Sequence, residues 1–303
     1  MADNDRLFDF SQGPVKLIRG NGYPFCHALL VEGGARAIVD PACDPAKIQA
    51  LCKEVSVDYL LNSHAHEDHL GGNHLFPEAI MLAHPDEAPL LADIECWLSS
   101  LGGDGWPEED KALWRSFLIE TCHYVPRAAD GALRDGDVLD LGGVGVEIVH
   151  TPGHTSGHCA FYVPEEKILY TADLDLSRFG PYYGDPSSDI DDTIRSLERL
   201  KTYDARTYLT AHGRGVYEGR PEVIDRYLES IYLREEKLLA FLADGPKTLE
   251  QIALERIVYG EHAITGGPWD LLITERGMMA KHLERLIARG GVKRRGDFFS
   301  RVY

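Results

Sequence analysis

Ser63-His64-Ala65-His66-Glu67-Asp68-His69-Leu70-Gly71-Gly72 puts four potential metal ligands into six residues, directly after the apolar run Val57-Asp58-Tyr59-Leu60-Leu61. That run has the β-branched, aromatic and aliphatic character of a buried strand, so the histidines are expected in a loop at the rim of a sheet. Side chains two apart on an extended segment point the same way, which lets His64, His66 and Asp68 converge while His69 leaves at another angle. One ion, or two adjacent ions, can be held by such a set. Asp68, followed by an apolar residue and two glycines, also reads as a helix N-cap. A lone histidine would be a surface residue in a polar turn; three with an aspartate at this spacing, in a chain with 13 His among 303 residues, point to a metal site.

Upstream, Val15–Ile18, His27–Val31 and Arg36–Asp40 read as short strands separated by Gly-rich turns, a meander that opens a sheet. Pro45–Glu54 has helical spacing behind an Asp44 cap. Downstream, Ala79–Ala83 is a further strand. From Pro85 to Pro126 apolar residues recur at helical spacing (Leu90, Leu91, Ile94, Trp97, Leu98, then Leu113, Trp114, Phe117, Leu118), broken by Gly102-Gly103-Asp104-Gly105. This predicts a helical hairpin inserted between strands, either plain core or a cover that shapes the mouth of the site.

A second strand series, Val138–Leu141 and Val144–His150, runs into Thr151-Pro152-Gly153-His154-Thr155-Ser156-Gly157-His158, so that again a strand delivers a histidine, His154, into a turn. The hairpin Cys159–Val163 and Lys167–Tyr170 ends at Asp173, a carboxylate that alone would be read as a turn residue. His212 follows the strand Tyr208-Leu209-Thr210 after a helix over Ile190–Leu200. Ser63, Thr151 and Thr155 are candidates by position for fixing the imidazoles. Arg178–Gly184 reads as a loop at the site entrance or as a surface loop with a packed aromatic.

Beyond Pro221 the pattern is helical: Val223–Leu242, Thr248–Tyr259 behind a Thr cap, and Glu275–Arg289, closed by a hairpin over Val292–Tyr303. Helices followed by a hairpin suggest a winged-helix module. The expected division is therefore 1–220, a catalytic domain with its helical insertion at about 85–126, and 221–303, a helical winged-helix-like domain.

The composition, 44% hydrophobic and 26% charged, is that of a globular protein with a sizeable core. No run approaches the length of a membrane span, and the acidic start lacks the make-up of a secretory signal, so a cytoplasmic protein is expected. The six cysteines form no Cys-x-x-Cys pair, which argues against a disulfide framework and a thiolate zinc cluster. The formal net charge of −18 lies on the residues before Val223 and opposes polyanion binding. The exception is Lys281–Arg301, where seven basic residues face two acidic ones. This stretch either contacts nucleic acid or packs on the acidic first domain of the same or a partner subunit, the favoured reading, which leaves room for a homo-oligomer.

His64-Ala65-His66-Glu67-Asp68-His69 matches the His-x-His-x-Asp-His signature of the metallo-β-lactamase superfamily without a gap. Thr151-Pro152-Gly153-His154-Thr155 resembles the family's third motif, Asp173 its bridging carboxylate and His212 its last ligand. The resemblance covers about residues 15–215. It implies an α/β fold, the αββα metallo-β-lactamase sandwich, with layout closest to the hydroxyacylglutathione-hydrolase-like group, in particular the branch with a C-terminal winged helix. Some members of that branch are endoribonucleases.

The implied ligand sets are His64, His66 and His154 for one metal and Asp68, His69 and His212 for a second, with Asp173 bridging. Two divalent ions are expected, zinc first, with iron or manganese as alternatives, since no thiolate forces a softer ion. Such a pair would activate water for attack on a carbonyl or phosphorus centre, with Asp68 orienting the water or shuttling its proton. The expected function is a metal-dependent hydrolase of a small thioester, ester or lactone. The alternative is an endoribonuclease or other phosphodiesterase on the same site, and behind it a mononuclear-iron persulfide dioxygenase. After His212 the chain lacks the Asn-Leu-Lys-Phe-like segment that grips glutathione in true hydroxyacylglutathione hydrolases.

Overall fold

The computed structural model describes residues 7–219, 221–260 and 271–302. Strands β1 (Phe10–Gln12), β2 (Val15–Ile18), β3 (Ala28–Glu32), β4 (Arg36–Val39), β5 (Tyr59–Asn62), β6 (Ile80–Ala83) and β7 (Gly131–Ala132) form one sheet in chain order. β2 to β4 pair antiparallel as the expected meander, β1 adds an unread antiparallel strand at its edge, and β4 to β7 pair in parallel. A parallel step needs a crossover, supplied between β4 and β5 by helix α1 (Pro45–Glu54). The Asp44 side chain caps it by accepting from the amides of Ala46 and Lys47.

The remaining strands of the sandwich make the second sheet: β8 (Val138–Asp140), β9 (Gly145–His150), β10 (Cys159–Val163), β11 (Ile168–Tyr170), β12 (Thr207–Leu209) and β13 (Val216–Glu218). All its pairs are antiparallel except β11 with β12.

The two sheets face each other across one core, in which Leu29, Val39 and Leu61 meet Ile148, Phe161 and Tyr170. Alternation along β5 sends the neighbouring Leu60 to the opposite face, where it packs with Ile48, Leu51 and Trp97. A strand buried on both faces must be apolar throughout, which is why Tyr59–Leu61 does not alternate with polar residues.

The insertion supplies α2 (Ala88–Ala92), α3 (Ile94–Ser100) and α4 (Glu108–Ser116), the last running into a wide turn over Phe117–Thr121. Trp97 and Trp114 are buried core residues, and the Trp97 indole N–H donates to the Ala65 carbonyl at 2.8 Å, fastening the insertion to the histidine stretch. Leu113, read as part of the apolar stripe, is instead 57% exposed, because α4 turns Trp114 inward.

On the second sheet, α5 (Ile190–Leu200) and α6 (Glu222–Phe241) cover the outer face through Leu197, Leu200, Ile224, Tyr227 and Ile231. The sandwich is thus helix, sheet, sheet, helix, as expected. The C-terminal residues add α7 (Leu249–Leu254), α8 (Leu271–Ala288) and a small sheet of β14 (Lys247–Thr248), β15 (Val292–Arg295) and β16 (Phe298–Arg301), with β16 central.

Thr248 caps α7 in a capping box with Gln251. The helix nevertheless ends at Leu254, short of the expected Tyr259. Arg256 takes a left-handed φ of 53°, and the Glu275 carboxylate captures the amides of Val258 and Tyr259 that a continued helix would have used. The basic stretch divides. Arg285 of α8 and Arg289 in the turn just past it pair with Asp191 of α5 at 2.7 and 2.9 Å, and Lys281 reaches the Pro186 carbonyl. Lys293, Arg294 and Arg295 on β15 are exposed.

Candidate metal centre

Each predicted ligand sits just past the end of a strand. His64, His66, Asp68 and His69 follow β5, His154 follows β9, Asp173 follows β11 and His212 follows β12, all at one edge of the sandwich. The structure brings the seven together as two sets, His64, His66, His154 and Asp173, and Asp68, His69 and His212, with one donor atom of each residue within 4.8 Å of the others in its set.

The Asp173 carboxylate stands between the sets. Its Oδ2 lies 3.3 Å from His154 Nε2 and 3.8 Å from His64 Nε2; its Oδ1 lies 2.9 Å from His69 Nε2 and 3.3 Å from His212 Nε2. His66 Nδ1 is 2.9 Å from His154 Nε2, and His212 Nε2 is 3.1 Å from Asp68 Oδ2.

Asp68 does not converge with His64 and His66 as strand alternation predicted, nor does it cap a helix. It lies inside a 3₁₀ turn over Glu67–His69, where the two-residue period no longer applies, and the turn swings its carboxylate toward His212.

Hydrogen bonds on the far side of the rings fix which nitrogen is free. The Ser63 hydroxyl donates to Asp40 Oδ2 at 2.6 Å, so at 2.9 Å its oxygen accepts from His64 Nδ1–H and leaves His64 Nε2 as the lone pair. Asp40 Oδ2 also lies 3.1 Å from His69 Nδ1, and Asp185 Oδ2 lies 2.8 Å from His66 Nε2. The Tyr182 carbonyl accepts from His154 Nδ1 at 3.1 Å. In His64, His66 and His154 the bonded far nitrogen leaves the other facing the cluster; His69 Nδ1 lies near Asp40 without forming a hydrogen bond, and its Nε2 faces Asp173.

Of the three hydroxyl residues predicted to fix the imidazoles, only Ser63 touches a cluster histidine. Thr151 binds His158, whose Nε2 accepts from the Asp173 amide at 3.3 Å, and Thr155 donates to Glu87. Asp40, Glu87, His158 and Asp185 went unread in the sequence. Asp40 carried a signal, an acid at the end of an apolar strand just like Asp173; Asp185, in a turn of Gly, Asp, Pro and Ser, carried none.

The electrostatics follow from burial and these partners. Burial, aided by the neighbouring His69, holds the His64 imidazole well below its usual range and keeps it neutral. Burial also opposes charge on His69 and His212, but the Asp173 and Asp68 carboxylates override it and push both imidazoles well above their usual range. Asp173 is held far below the carboxylate range against its own burial by His69, His212 and His64. Among the described residues, His64 Nε2, both ring nitrogens of His69 and Asp173 Oδ1 are buried without a hydrogen-bond partner. Buried polar atoms left unpaired are costly, and a cation between them is what this donor set fits.

A chamber of about 410 Å³ opens over the cluster. Tyr23, Leu101, Tyr182, Tyr259 and Leu271 wall it, His66, Asp68, His154 and Asp173 form its floor, and Glu67 and Asp185 are its other charged groups. No Lys or Arg lines it among the described residues. Leu101 comes from the insertion and Tyr259 and Leu271 from the C-terminal part, so three parts of the chain enclose one site.

A two-sheet sandwich carrying a paired histidine and carboxylate cluster at one edge defines a class of metal-dependent enzymes. The chain belongs to the metallo-beta-lactamase superfamily, whose family model matches residues 22–212. It is 28% identical over 228 residues to a hydroxyacylglutathione hydrolase from Methylococcus capsulatus, covering 74% of this chain and 75% of the relative. An atrochrysone carboxyl ACP thioesterase from Pseudocercospora fijiensis is 23% identical over 76% of this chain and 59% of its own length. The crystal structure of a metallo-beta-lactamase family protein from Thermus thermophilus superposes with a TM-score of 0.74 at 26% identity, covering 96% of this chain and 99% of that one. Among the described residues no helix is long and apolar enough to cross a membrane.

Proposed function

We propose that this protein is a dinuclear metal hydrolase of a small thioester, ester or lactone. His64, His66 and His154 hold one divalent ion, Asp68, His69 and His212 hold the other, and Asp173 bridges them. The observation that carries this reading is the orientation of Asp173, whose two oxygens face opposite ligand sets. Imidazoles and carboxylates without thiolate suit zinc, and also iron or manganese. Two such ions supply a nucleophile generated from water at neutral pH and a Lewis acid for the substrate oxygen.

The chain's residues do the rest. Asp40, through the Ser63 hydroxyl on His64, and Asp185, on His66, hold these imidazoles in the metal-binding tautomer. Asp68 both belongs to the cluster and lines the chamber, so it can take the proton released as water attacks. The chamber's size suits a small-molecule group. We read residues 1–220 as the catalytic unit and 221–303 as a winged-helix-like module.

The test is turnover of a panel of acyl thioesters, beside single-stranded RNA, by protein loaded with a defined metal, with His64→Ala as control. Thioester hydrolysis that disappears in His64→Ala is expected. RNA cleavage without thioester turnover, or one iron per chain with oxygen consumption, would overturn the reading.

A further inference from the structure

Beside the chamber lies a second and larger cavity of about 810 Å³, between α6 and the segment 255–260. Arg178, Arg234, Lys237 and Arg256 line it against two acids, Asp244 and Glu255. In a chain of net charge −18, a hollow with a basic excess runs against the whole-molecule field. Arg234 is buried and committed to the loop beneath, where its guanidinium donates to the carbonyls of Phe179 and Pro181 and to the Tyr183 hydroxyl. Arg178, Lys237 and Arg256 are exposed, and none of them pairs with a carboxylate among the described residues.

Three cations that carry no carboxylate partner among the described residues, set around one hollow, are a site for an anion larger than a single carboxylate. The two cavities share a wall. Tyr259 lines both, and its ring packs on Phe179 of the basic cavity at 5.1 Å. The walls of the chamber over the metal cluster are aromatic and aliphatic, and its charged groups among the described residues are acids and histidines with no Lys or Arg, so the group it takes is apolar and not anionic. Resting on the hydrolase reading above, we propose that the basic cavity binds the nucleotide phosphates of the substrate's leaving group. The substrate class is then an acyl thioester of a coenzyme A-type carrier.

That class matches the order of surfaces. The apolar acyl group lies in the chamber, the uncharged pantetheine arm crosses the Phe179–Tyr259 wall, and the phosphates reach Arg178, Lys237 and Arg256. In the reaction the acyl C–S bond breaks and a C–O bond forms from water. The products are a carboxylic acid and the carrier thiol, with one water consumed.

The experiment compares kcat/KM for one acyl group carried on coenzyme A, on phosphopantetheine and on pantetheine, in the wild-type protein and in the triple variant R178Q/K237Q/R256Q. All three positions are exposed, so the variant is expected to fold. Calorimetric titration with adenosine bisphosphate, a probe that needs no turnover, accompanies it. The expected result is a preference for coenzyme A over pantetheine of about tenfold, residing in KM, that collapses toward unity in the variant along with bisphosphate binding.

Equal rates on coenzyme A and pantetheine, or a preference the variant leaves intact, would overturn the proposal. Phosphopantetheine matching coenzyme A would overturn its nucleotide part. Single-stranded RNA displacing the bisphosphate at lower concentration than the thioester does would assign the cavity to nucleic acid instead. Bisphosphate binding without any thioester turnover would sink the hydrolase reading while leaving the anion site standing.

Discussion

His154 donates its Nδ1 proton to the main-chain carbonyl of Tyr182 across 3.1 Å, and this one bond ties a cluster imidazole to a loop that the C-terminal helices hold in place. The loop is gripped from below by Arg234 of α6, through Phe179, Pro181 and the Tyr183 hydroxyl, and Tyr183 in turn meets His282 of α8 at 2.7 Å. Arg234→Ala leaves three acceptors without their fork. Metal affinity is expected to fall about tenfold to a hundredfold, the usual cost of losing a partner behind a metal-binding imidazole. Competition titration against a chromogenic chelator measures this. Arg234→Lys restores charge but not the planar fork, so recovery should be partial; full recovery would show that charge alone holds the loop.

Metal uptake should release protons. His69 and His212 are held well above their usual range by Asp173 and Asp68, and the Asp185 carboxylate, outweighing burial, raises His66 to about 9. Near neutral pH the metal-free cluster therefore carries protons that an incoming cation must expel, so affinity rises with pH. Calorimetric titrations in two buffers of different ionisation enthalpy read the number released, and equal heats in both would contradict the assignment. His212→Ala should leave about one ion per chain by mass spectrometry and Asp173→Ala fewer, because only Asp173 serves both sets.

Glu87 joins the two ligand loops. It is buried, and its carboxylate accepts from the Ala65 amide, the Thr155 hydroxyl and the Gly157 amide at 3.0, 2.6 and 3.0 Å. Ala65 separates His64 from His66, and Thr155 follows His154, so one side chain spaces both loops. Glu87→Ala orphans three buried donors and is expected to cost about 3 kcal/mol or more in urea unfolding. A loss below about 1 kcal/mol would mean that water replaces the carboxylate.

The fold was legible wherever a period or a cap is a local property. The β5 apolar run, the Asp44 cap and the Thr248 capping box all lie where the sequence places them. Of the seven residues that meet in the cluster, those of the His64–His69 stretch and His154 stood out because apolar strands deliver them into turns, whereas Asp173 and His212 stood out only through the family resemblance. What escaped was set by partners distant in the chain. Glu275 ends α7 from the next helix, and Asp185 reaches His66 across more than a hundred residues with no local pattern to mark it. The split of the basic stretch escaped for the same reason, since only the fold shows Asp191 between Arg285 and Arg289.

His27 should make the protein sensitive to acid. Burial lowers its imidazole to about 4, and its Nδ1 accepts from the Gly20 amide at 3.0 Å, a bond that protonation would destroy. The unfolded chain takes up that proton near pH 6.5, so between about 6.5 and 4 the unfolded state binds more protons than the folded one and stability falls as pH falls. Above that window both states are neutral and the effect is absent; below it the loss is complete, at most about 3 kcal/mol. His27→Asn keeps an acceptor near the Gly20 amide without the titration. Its urea midpoint should therefore vary less with pH across this window than the wild type's. Parallel pH profiles for the two proteins would place the acid sensitivity elsewhere, most directly in the carboxylates of the cluster, which lose their charge as pH falls through their lowered values.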